Sequence, residues 1–488
     1  MGRNPLLNGD LQTNQQVIDQ LLSQQAGFVS REVILPPVSG GPRRAVLWYL
    51  DMTVDVERLE RHVILPMLSG REPESVVGHP ARVVKDVDSA LREMARGKVL
   101  AQTSDSNQVL ALMMLKFPFR SVETPQTEGS VSGPAESFTE SLTSNLGQIR
   151  RRFPSPDIRV ESIFIGTRAP IQVVLVYQEG GPTTKMLTTV RERLEAVKQD
   201  GAQDLSQLAE ALGDVPVSLF PSILTTERPD IVIQYITGGR IALLMENSPR
   251  ALILPALLVD FFASADDFYQ SRLYVSFLRF IRFVAFNMAI PLPAVYVSVT
   301  TYHLQALPTL LTLNLLTQRE GAPLPPPIEA LIMTIIFEIL REASVRLPRA
   351  IGPTVSIVGG LVIGEAAIAS GLTAPTMVLV VTATAVAAFS LPSPELANTA
   401  TYYRFGLLLL SSAFGFFGLL LGYLVVLANV AGMTSLGVPY TAPFFPLQLK
   451  HLLYALGVKP KPPQGMGARP RPSLTQEAER FHEGEGRP

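Results

Sequence analysis

The 488-residue sequence contains no cysteine, one tryptophan and five histidines. A chain without cysteine has no disulfide framework, no thiol nucleophile and no cysteine-based metal site. The sequence also lacks common signatures of catalysis, such as a phosphate-binding loop, a dinucleotide fingerprint, a zinc-protease motif and a hydrolase nucleophile elbow. We therefore expect a protein that is not an enzyme and that binds no cofactor or metal.

An excess of positive charge is also missing. The formal net charge is −1 at pH 7, which argues against nucleic acid as a partner. The only dense basic run is residues 150–152, which we place in the solvated last turn of a predicted helix, where the helix dipole favours cations. A patch that binds a partner or lipid head groups is the alternative for this run.

The N-terminal sequence MGRNPLLNGDLQTNQQ lacks the apolar core of a signal peptide. We therefore expect the N-terminal region, up to about residue 250, to stay in the cytoplasm. The length of the chain exceeds one soluble core and predicts at least two folding units.

Two segments of the N-terminal region follow the same pattern. Residues 43–68 and 169–197 each predict a strand, a turn and a helix. Residues 97–114 and 239–255 each predict a β-hairpin with alternating apolar positions. We infer an internal duplication that gives two similar α/β lobes, joined by a linker rich in Ser, Thr, Gly and Pro.

The second half of the chain is poor in charge. Residues 273–457 hold 14 of the 83 charged side chains, which leaves 69 for the other 303 positions. We therefore predict two α/β lobes, residues 1–130 and 131–265, followed by an α-helical multispan membrane domain, residues 266–457. Residues 458–488 are rich in Pro, Gly and charge and predict a disordered polar tail.

Apolar stretches in the predicted membrane domain are long enough to cross a bilayer, which takes about 20 residues. They are residues 283–301, 353–373, 374–392 and 405–432. Residues 328–347 are a fifth candidate, so we expect four to five transmembrane helices. Four spans place both termini on one side of the membrane, and five do not. A buried helical core in a soluble protein is the alternative to membrane spans.

A charged stripe runs along the fifth candidate helix. Glu338, Glu342 and Arg346 recur at intervals of four, and the spacing predicts pairs of Glu338 with Arg341 and of Glu342 with Arg346. Three roles are open for this helix. It lies at the membrane interface as an amphipathic anchor, it buries its charged stripe against neighbouring helices, or it lines a water-filled path. These four residues are candidates for an ion path or for coupling.

One acid lies inside the apolar sequence SIVGGLVIGEAAIASGL. This residue, Glu365, is a functional candidate because an ionisable group within a membrane is costly unless it is paired, protonated or wetted. We predict Arg341, Arg346 or Arg279 as its partner. Arg279 and Arg282 precede the first span and are predicted interfacial anchors.

Several long motifs occur in order along the chain: GPAESFTESLTSNLGQIRRRFPSPDIRVESIFIGTR, GRIALLMENSPRALILP, EILREASVRLPRAIGPTVSIVGGLVIGEAA and LGVPYTAPFFP. Together they resemble one known family, the A subunits of nutrient germinant receptors in endospore-forming bacteria. The resemblance implies a cytoplasmic two-lobed region and a multispan domain in the inner membrane of the spore. It also implies an acid or amide at the position of Glu365.

The resemblance further implies the partners and the function. Members of this family act with a permease-like B subunit, which binds the nutrient, and with a lipoprotein C subunit. The A subunit forms a homo-oligomer that releases ions and starts germination. A scaffold for the other subunits that does not conduct, and a secondary transporter, are the alternatives.

Overall fold

The structure is a computed structural model with two β-sheet lobes followed by a helical part. It describes residues 7, 10–22, 27–37, 43–51, 53–71, 81–115, 125, 128–129, 132–167, 169–200, 202, 204–214, 218–320, 322–347 and 352–444. The predicted tail, residues 458–488, lies outside the described residues.

The first lobe is a five-stranded antiparallel sheet with helices on both faces. Its elements are α1 (Leu11–Leu22), β1 (Phe28–Leu35), β2 (Arg43–Leu50), α2 (residues 56–68), β3 (Arg82–Val84), α3 (Val87–Ala95), β4 (Lys98–Thr103) and β5 (Val109–Met113). The strand order is β1-β2-β4-β5-β3.

The second lobe repeats this plan. Its elements are α4 (Leu142–Arg152), β6 (Ile158–Ile165), β7 (Ile171–Gln178), α5 (Thr184–Asp200), α6 (Leu205–Leu212), β8 (Leu224–Thr226), α7 (Pro229–Thr237), β9 (Ile241–Met245) and β10 (Ala251–Leu254). The strand order is β6-β7-β9-β10-β8.

The two sheets have the same strand order, and all their paired strands are antiparallel. The two predicted hairpins are β4-β5 and β9-β10, and the two predicted strand-turn-helix units are β2-α2 and β7-α5. The duplication inferred from the sequence is therefore present in the strand order. Among the described residues, helix α6 has no counterpart in the first lobe.

Alternation along the strands builds a core on each face of the sheet. In β2, Leu47 packs with Leu59 of α2 on one face. Its neighbour Trp48 packs with Ile18 of α1 and Leu91 of α3 on the other. Because successive side chains of a strand point to opposite faces, a central strand covered on both sides needs apolar residues at every position.

The basic run at the end of α4 is not a solvated patch. Arg151 and Arg152 both pair with Glu136. Arg150 is 3% exposed, and burial lowers the pKa of its guanidinium to about 10. The interpretation of this turn as a solvated helix end is therefore wrong for Arg150, because neighbouring protein covers it.

Helices make up most of residues 272–432. They are α8 (Arg272–Ala289), α9 (Leu292–Tyr302), α10 (Thr309–Arg319), α11 (Pro326–Arg346), α12 (Gly352–Ala369), α13 (Pro375–Phe389) and α14 (Pro394–Gly432). Proline occupies the first turn of α11, α13 and α14, where a missing N–H is not needed. Helices α8 and α9 meet at a bend of 44°.

Helix α14 folds back on itself at Gly415. Gly415 has φ +60° and ψ −139°, a conformation that glycine tolerates and other residues do not. Asn429 Nδ2 donates to Tyr403 Oη at 2.5 Å, although a straight helix would separate these residues by about 39 Å. A Cβ on Gly422 would lie 2.5 Å from Leu407 Cδ2. Residues 394–414 and 416–432 are therefore two antiparallel arms of a helical hairpin.

The chain returns to the second lobe after this hairpin. Strands β11 (Thr434–Ser435) and β12 (Val438–Pro439) pair with each other, and Leu436 and Val438 are buried in the core of the second lobe. Ser435 Oγ donates to the carbonyl of Ser222 at 3.1 Å and accepts from the backbone N–H of Ala256 at 3.2 Å. Both ends of the hairpin therefore lie at the second lobe.

Length and hydropathy show which of the observed helices could be the predicted transmembrane spans. Among the described residues, one helix, α14, is long and apolar enough to cross a membrane, and the bent pair α8 and α9 is a second if it is one span. Residues 358–369 and helix α13 are apolar but shorter. A helical second half is thus confirmed, and the predicted four to five spans stay a prediction.

Candidate polar site in the helical bundle

A partly buried cluster of charged side chains joins α11 to the first arm of α14. Glu338 pairs with Arg341 one turn later on α11, as predicted. Glu338 Oε2 also lies 3.9 Å from Arg404 Nη1 of α14. Arg341 Nη2 donates to Asn398 Oδ1 at 3.2 Å, which adds a second link between the two helices.

Arg404 is the most deeply buried member of this cluster, at 5% exposure. Its Nε donates to the carbonyl of Ala289 at 3.0 Å, and its Nη2 donates to Thr401 Oγ1 at 3.3 Å. Ala289 is the last residue of α8, so its carbonyl is free of a helical partner where the chain bends into α9. The guanidinium of Arg404 therefore binds a backbone carbonyl that the bend between α8 and α9 leaves available.

A small cavity of about 40 Å³ adjoins the cluster, which is enough room for a water molecule. Glu338, Arg341 and Arg404 provide its polar wall, and Phe337 and Phe389 contribute to its apolar wall. One carboxylate faces two guanidinium groups, so the cluster carries one excess positive charge. Such a site holds helices together and repels cations from the interior of the bundle.

The second predicted pair lies at the surface. Glu342 Oε1 accepts from Arg346 Nη2 at 2.6 Å, with both side chains well exposed. The pairing agrees with the sequence spacing, but an exposed pair of this kind contributes roughly 0.5 kcal/mol in water. It is separate from the cluster around Arg404.

Glu365 lies on the exposed face of α12. In the described part of the chain it makes no ion pair, and the arginines predicted as its partners are engaged elsewhere. Arg341 pairs with Glu338, Arg346 with Glu342 and Arg279 with Asp267. The predicted partner for Glu365 is therefore wrong within one copy of the chain, because all three arginines pair with other acids.

Arg279 and Arg282, the predicted interfacial anchors, contact the same acid. Asp267, which is buried, accepts from Arg279 Nε at 2.8 Å and from Arg282 Nη1 at 2.9 Å. Arg282 also donates to the carbonyl of Phe262 at 2.9 Å. Both arginines therefore attach α8 to the end of the second lobe, and their position at a membrane interface stays a prediction.

Comparison with known proteins decides the family. The model of the Bacillus/Clostridium GerA spore germination protein family matches residues 16–471. This chain belongs to the GerA family. Its role therefore lies in spore germination, and the resemblance recognised in the sequence motifs is confirmed.

Individual GerA relatives are similar over most of their length. Spore germination protein KA of Bacillus subtilis (strain 168) is 36% identical over 408 residues, which cover 83% of this chain and 74% of that protein. The uncharacterized membrane protein YfkQ of the same strain is 34% identical over 411 residues, covering 82% and 80%. The crystal structure of the N-terminal domain of the A subunit of the Bacillus megaterium spore germinant receptor GerK3 covers 52% of this chain and 98% of its own, at 23% identity and TM-score 0.40.

Sequence reasoning missed a buried carboxylate at the start of α11 in this GerA protein. Glu329 is 1% exposed, and its Oε1 accepts from Thr373 Oγ1 at 2.5 Å and from the backbone N–H of Ala374 at 2.6 Å. Arg319 Nη2 lies 3.5 Å from its Oε2. The acid caps the start of α13, where unpaired N–H groups favour negative charge. Its position after the prolines that open α11 was the available signal.

Proposed function

We propose that this chain is the A subunit of a nutrient germinant receptor and crosses the inner membrane of the spore several times, with its lobes in the cytoplasm. The fold of α14 supports an even number of crossings. We count six crossings in place of the four to five expected from the sequence: the bent pair α8 and α9, then α11, α12, α13 and the two arms of α14. An even number returns residues 433–444 to the second lobe, where they pack.

We further propose that copies of the chain assemble around a shared aqueous path for ions. The exposed position of Glu365 carries this proposal. A charged side chain in hydrocarbon costs at least about 2.5 kcal/mol, so an acid on the outer face of an apolar helix needs water or another copy beside it. The excess positive charge at Arg404 disfavours a cation path through the interior of one copy.

Gating then depends on partners. A permease-like B subunit binds the nutrient, and a lipoprotein C subunit completes the complex. Nutrient binding opens the path only if it favours the open arrangement of this subunit by a free-energy difference between the two states. The charged stripe of Glu338, Arg341, Glu342 and Arg346 is the part of the bundle that we assign to this coupling.

The test replaces the acid that carries the proposal. We expect Glu365→Gln to slow nutrient-triggered cation release from spores by about tenfold or more, with unchanged amounts of protein, because the path loses its fixed negative charge. Glu365→Ala should act in the same direction. The matched control is Leu361→Ala on the same helix, a side chain that is 62% exposed.

Cation release is followed with ion-selective electrodes, and protein amount by immunoblot of the membrane fraction. Wild-type release rates in both Glu365 variants would reduce this residue to a packing role. Planar-bilayer recordings of purified oligomers address the remaining alternative. Oligomers that do not conduct would favour a scaffold, for which the charged contacts that hold α11 to the first arm of α14 are the supporting feature.

A further inference from the structure

Helix α8 has two unlike sides. Its buried side carries Arg279, whose Nε donates to the buried Asp267 at the end of the second lobe, at 2.8 Å. The opposite side is exposed in the first half of the helix and holds five large apolar side chains. This outward face of α8 consists of Leu273, Tyr274, Phe277, Phe280 and Ile281.

The outward face continues along the helix. Val284 and Met288 follow Phe280 at intervals of four and are also exposed. Both lie in the part of α8 that the proposed function places inside the membrane. One continuous apolar surface therefore joins the first turn of α8 to the surface that faces lipid.

A contact with the second arm of α14 fixes the level of each residue of α8. Tyr423 Oη donates to Asn287 Oδ1 at 2.8 Å, so these two residues lie side by side. From Tyr423 the second arm runs nine residues toward the second lobe and ends at Gly432. Nine residues from Asn287 in the same direction, α8 reaches Leu278. Residues 272–277 therefore lie beyond the end of the arm, on the side of the lobe.

The second arm has nearly the length of the hydrocarbon core of a bilayer. Residues 416–432 are about 26 Å long as a helix, and the hydrocarbon core is about 30 Å thick. The arm begins at the bend of Gly415 and ends where the chain returns to the second lobe. The boundary between acyl chains and head groups on the side of the lobes therefore lies near the level of Gly432 and Leu278.

The outward face of α8 fits the head-group layer beyond this boundary. That layer adds roughly 5–8 Å on each side of the hydrocarbon. The rise from Leu278 back to Leu273 is also about 5–8 Å, for a helix that is upright or tilted by as much as the 44° bend between α8 and α9. Aromatic rings with a polar end, such as the ring of Tyr274, are enriched at this level of membrane proteins.

We propose that the outward face of α8 inserts into the leaflet that faces the lobes, with Tyr274 and Phe277 among the lipid head groups and Phe280 at the top of the acyl chains. The partner of this face is the bilayer surface. Since Asp267 holds the other side of the helix, the second lobe is fixed against the membrane. This inference rests on the membrane part of the proposed function and adds the depth at which the second lobe meets the bilayer.

Depth can be measured residue by residue with nitroxide labels, because the chain has no cysteine of its own. The labelled variants are Tyr274→Cys, Phe277→Cys, Phe280→Cys and Val284→Cys in the full-length protein, in phosphatidylcholine nanodiscs. Electron paramagnetic resonance compares collisions with oxygen, which collects in hydrocarbon, and with a nickel chelate, which stays in water. We expect the ratio of oxygen to nickel collisions to rise about tenfold from the first variant to the last, which differ by roughly 11–15 Å in depth.

Two control labels set the ends of the scale. Leu424→Cys lies halfway along the second arm, is 61% exposed and should collide mainly with oxygen. Glu192→Cys lies on the exposed face of α5 in the second lobe and should collide mainly with nickel. A label at Leu424→Cys that nickel reaches would overturn the membrane part of the proposed function, and this inference with it.

Two other results would overturn this inference alone. In the first, Leu424→Cys stays in hydrocarbon, but nickel reaches the labels of Phe277→Cys and Phe280→Cys as often as that of Glu192→Cys, so the outward face lies in water. In the second, neither reagent reaches the labels on α8, so protein, such as a second copy of the chain, covers the face.

Fluorescence gives a second measurement that needs no label. Trp48, the only tryptophan of the chain, is fully buried in the first lobe, so its emission is a constant background. In Phe277→Trp we expect the added emission to fall at least about twofold with lipids brominated near the head group, and less with lipids brominated near the end of the acyl chain. Stronger quenching by the deep bromines, or no quenching by either lipid, would contradict the proposal.

Discussion

The two lobes share one plan but use the same position for different attachments. Lys98 opens β4 and Arg240 precedes β9, so the two residues occupy the same place in the duplicated hairpin. Lys98 Nζ lies 2.5 Å from Glu93, on α3 of its own lobe. Arg240 instead pairs with Asp260, in the turn that leads to the helical part. The basic residue at this position therefore binds within its own lobe in the first case. In the second case it binds the segment that leads into the helical part.

Phe220 extends this difference. It is 2% exposed and lies in the second lobe. Its ring contacts Phe286 of α8, Tyr403 of α14 and Tyr440 of the returning segment, with centroids 6.5, 5.2 and 6.3 Å away. Aromatic packing at one residue therefore joins the second lobe to three separate parts of the chain. The duplication gives two similar lobes, and a few side chains attach the hairpin of α14 to the second of them.

The attachment of both hairpin ends to the second lobe requires that α14 fold back. Because the chain has no cysteine, a disulfide between introduced cysteines reports this directly. We expect near-complete oxidation of Leu407→Cys with Gly422→Cys, which a straight helix would hold about 22 Å apart, beyond the reach of a disulfide. The measurement is the mobility shift between reduced and oxidised protein.

The control pair for this experiment is Leu409→Cys with Leu424→Cys. It has the same separation in sequence, and both side chains point outward, at 60% and 61% exposure. This pair should stay reduced. Equal oxidation of both pairs, or none in the first, would mean that α14 is not a hairpin and that the second lobe holds only one of its ends.

The basic residues at the start of β4 and before β9 have acidic partners, and we expect the loss of these partners to reduce stability by unequal amounts. We expect Asp260→Ala to destabilise the second lobe by about 3–5 kcal/mol, because it removes the carboxylate that pairs with the buried Arg240. Glu93→Ala should cost about 1 kcal/mol, since two of its partners, Arg82 and Arg96, are more than half exposed and stay hydrated.

Hydrogen exchange of β9-β10 and of β4-β5 in the full-length protein measures each effect in its own lobe. Equal loss of protection in the two lobes would contradict the prediction that the buried pair of the second lobe contributes more stability than the pair of the first.

The smallest expected effect is a pH dependence of the first lobe. Burial raises the pKa of Glu93, but Lys98, Arg82 and Arg96 outweigh it, so the pKa lies below its usual value of 4.5. A lowered pKa gives stability that is present above pH 4.5 and lost as the pH falls through the folded value. In urea unfolding from pH 6 to pH 3.5, Glu93→Gln should lose less stability than the wild type. A parallel decline would contradict the assignment.

Sequence patterns were sufficient for the lobes because their signals are local. Alternating apolar residues and turn residues predicted both hairpins, and the repetition of these signals predicted the second lobe from the first. The pairs Glu338 with Arg341 and Glu342 with Arg346 followed from spacing on one helix. Arg404 gave no such signal, because the carbonyl of Ala289 and the carboxylate of Glu338 reach it from distant parts of the chain.

The sequence alone determined the duplicated sheets and the division into a charged half and an apolar half, since periodicity and hydropathy are properties of neighbouring residues. Only the tertiary structure shows that the chain folds back on itself at Gly415. Hydropathy measures how apolar a segment is and carries no information on the direction of the chain. The contacts of Gly422 with Leu407 and of Asn429 with Tyr403 fix that direction. They place the end of the hairpin back at the second lobe.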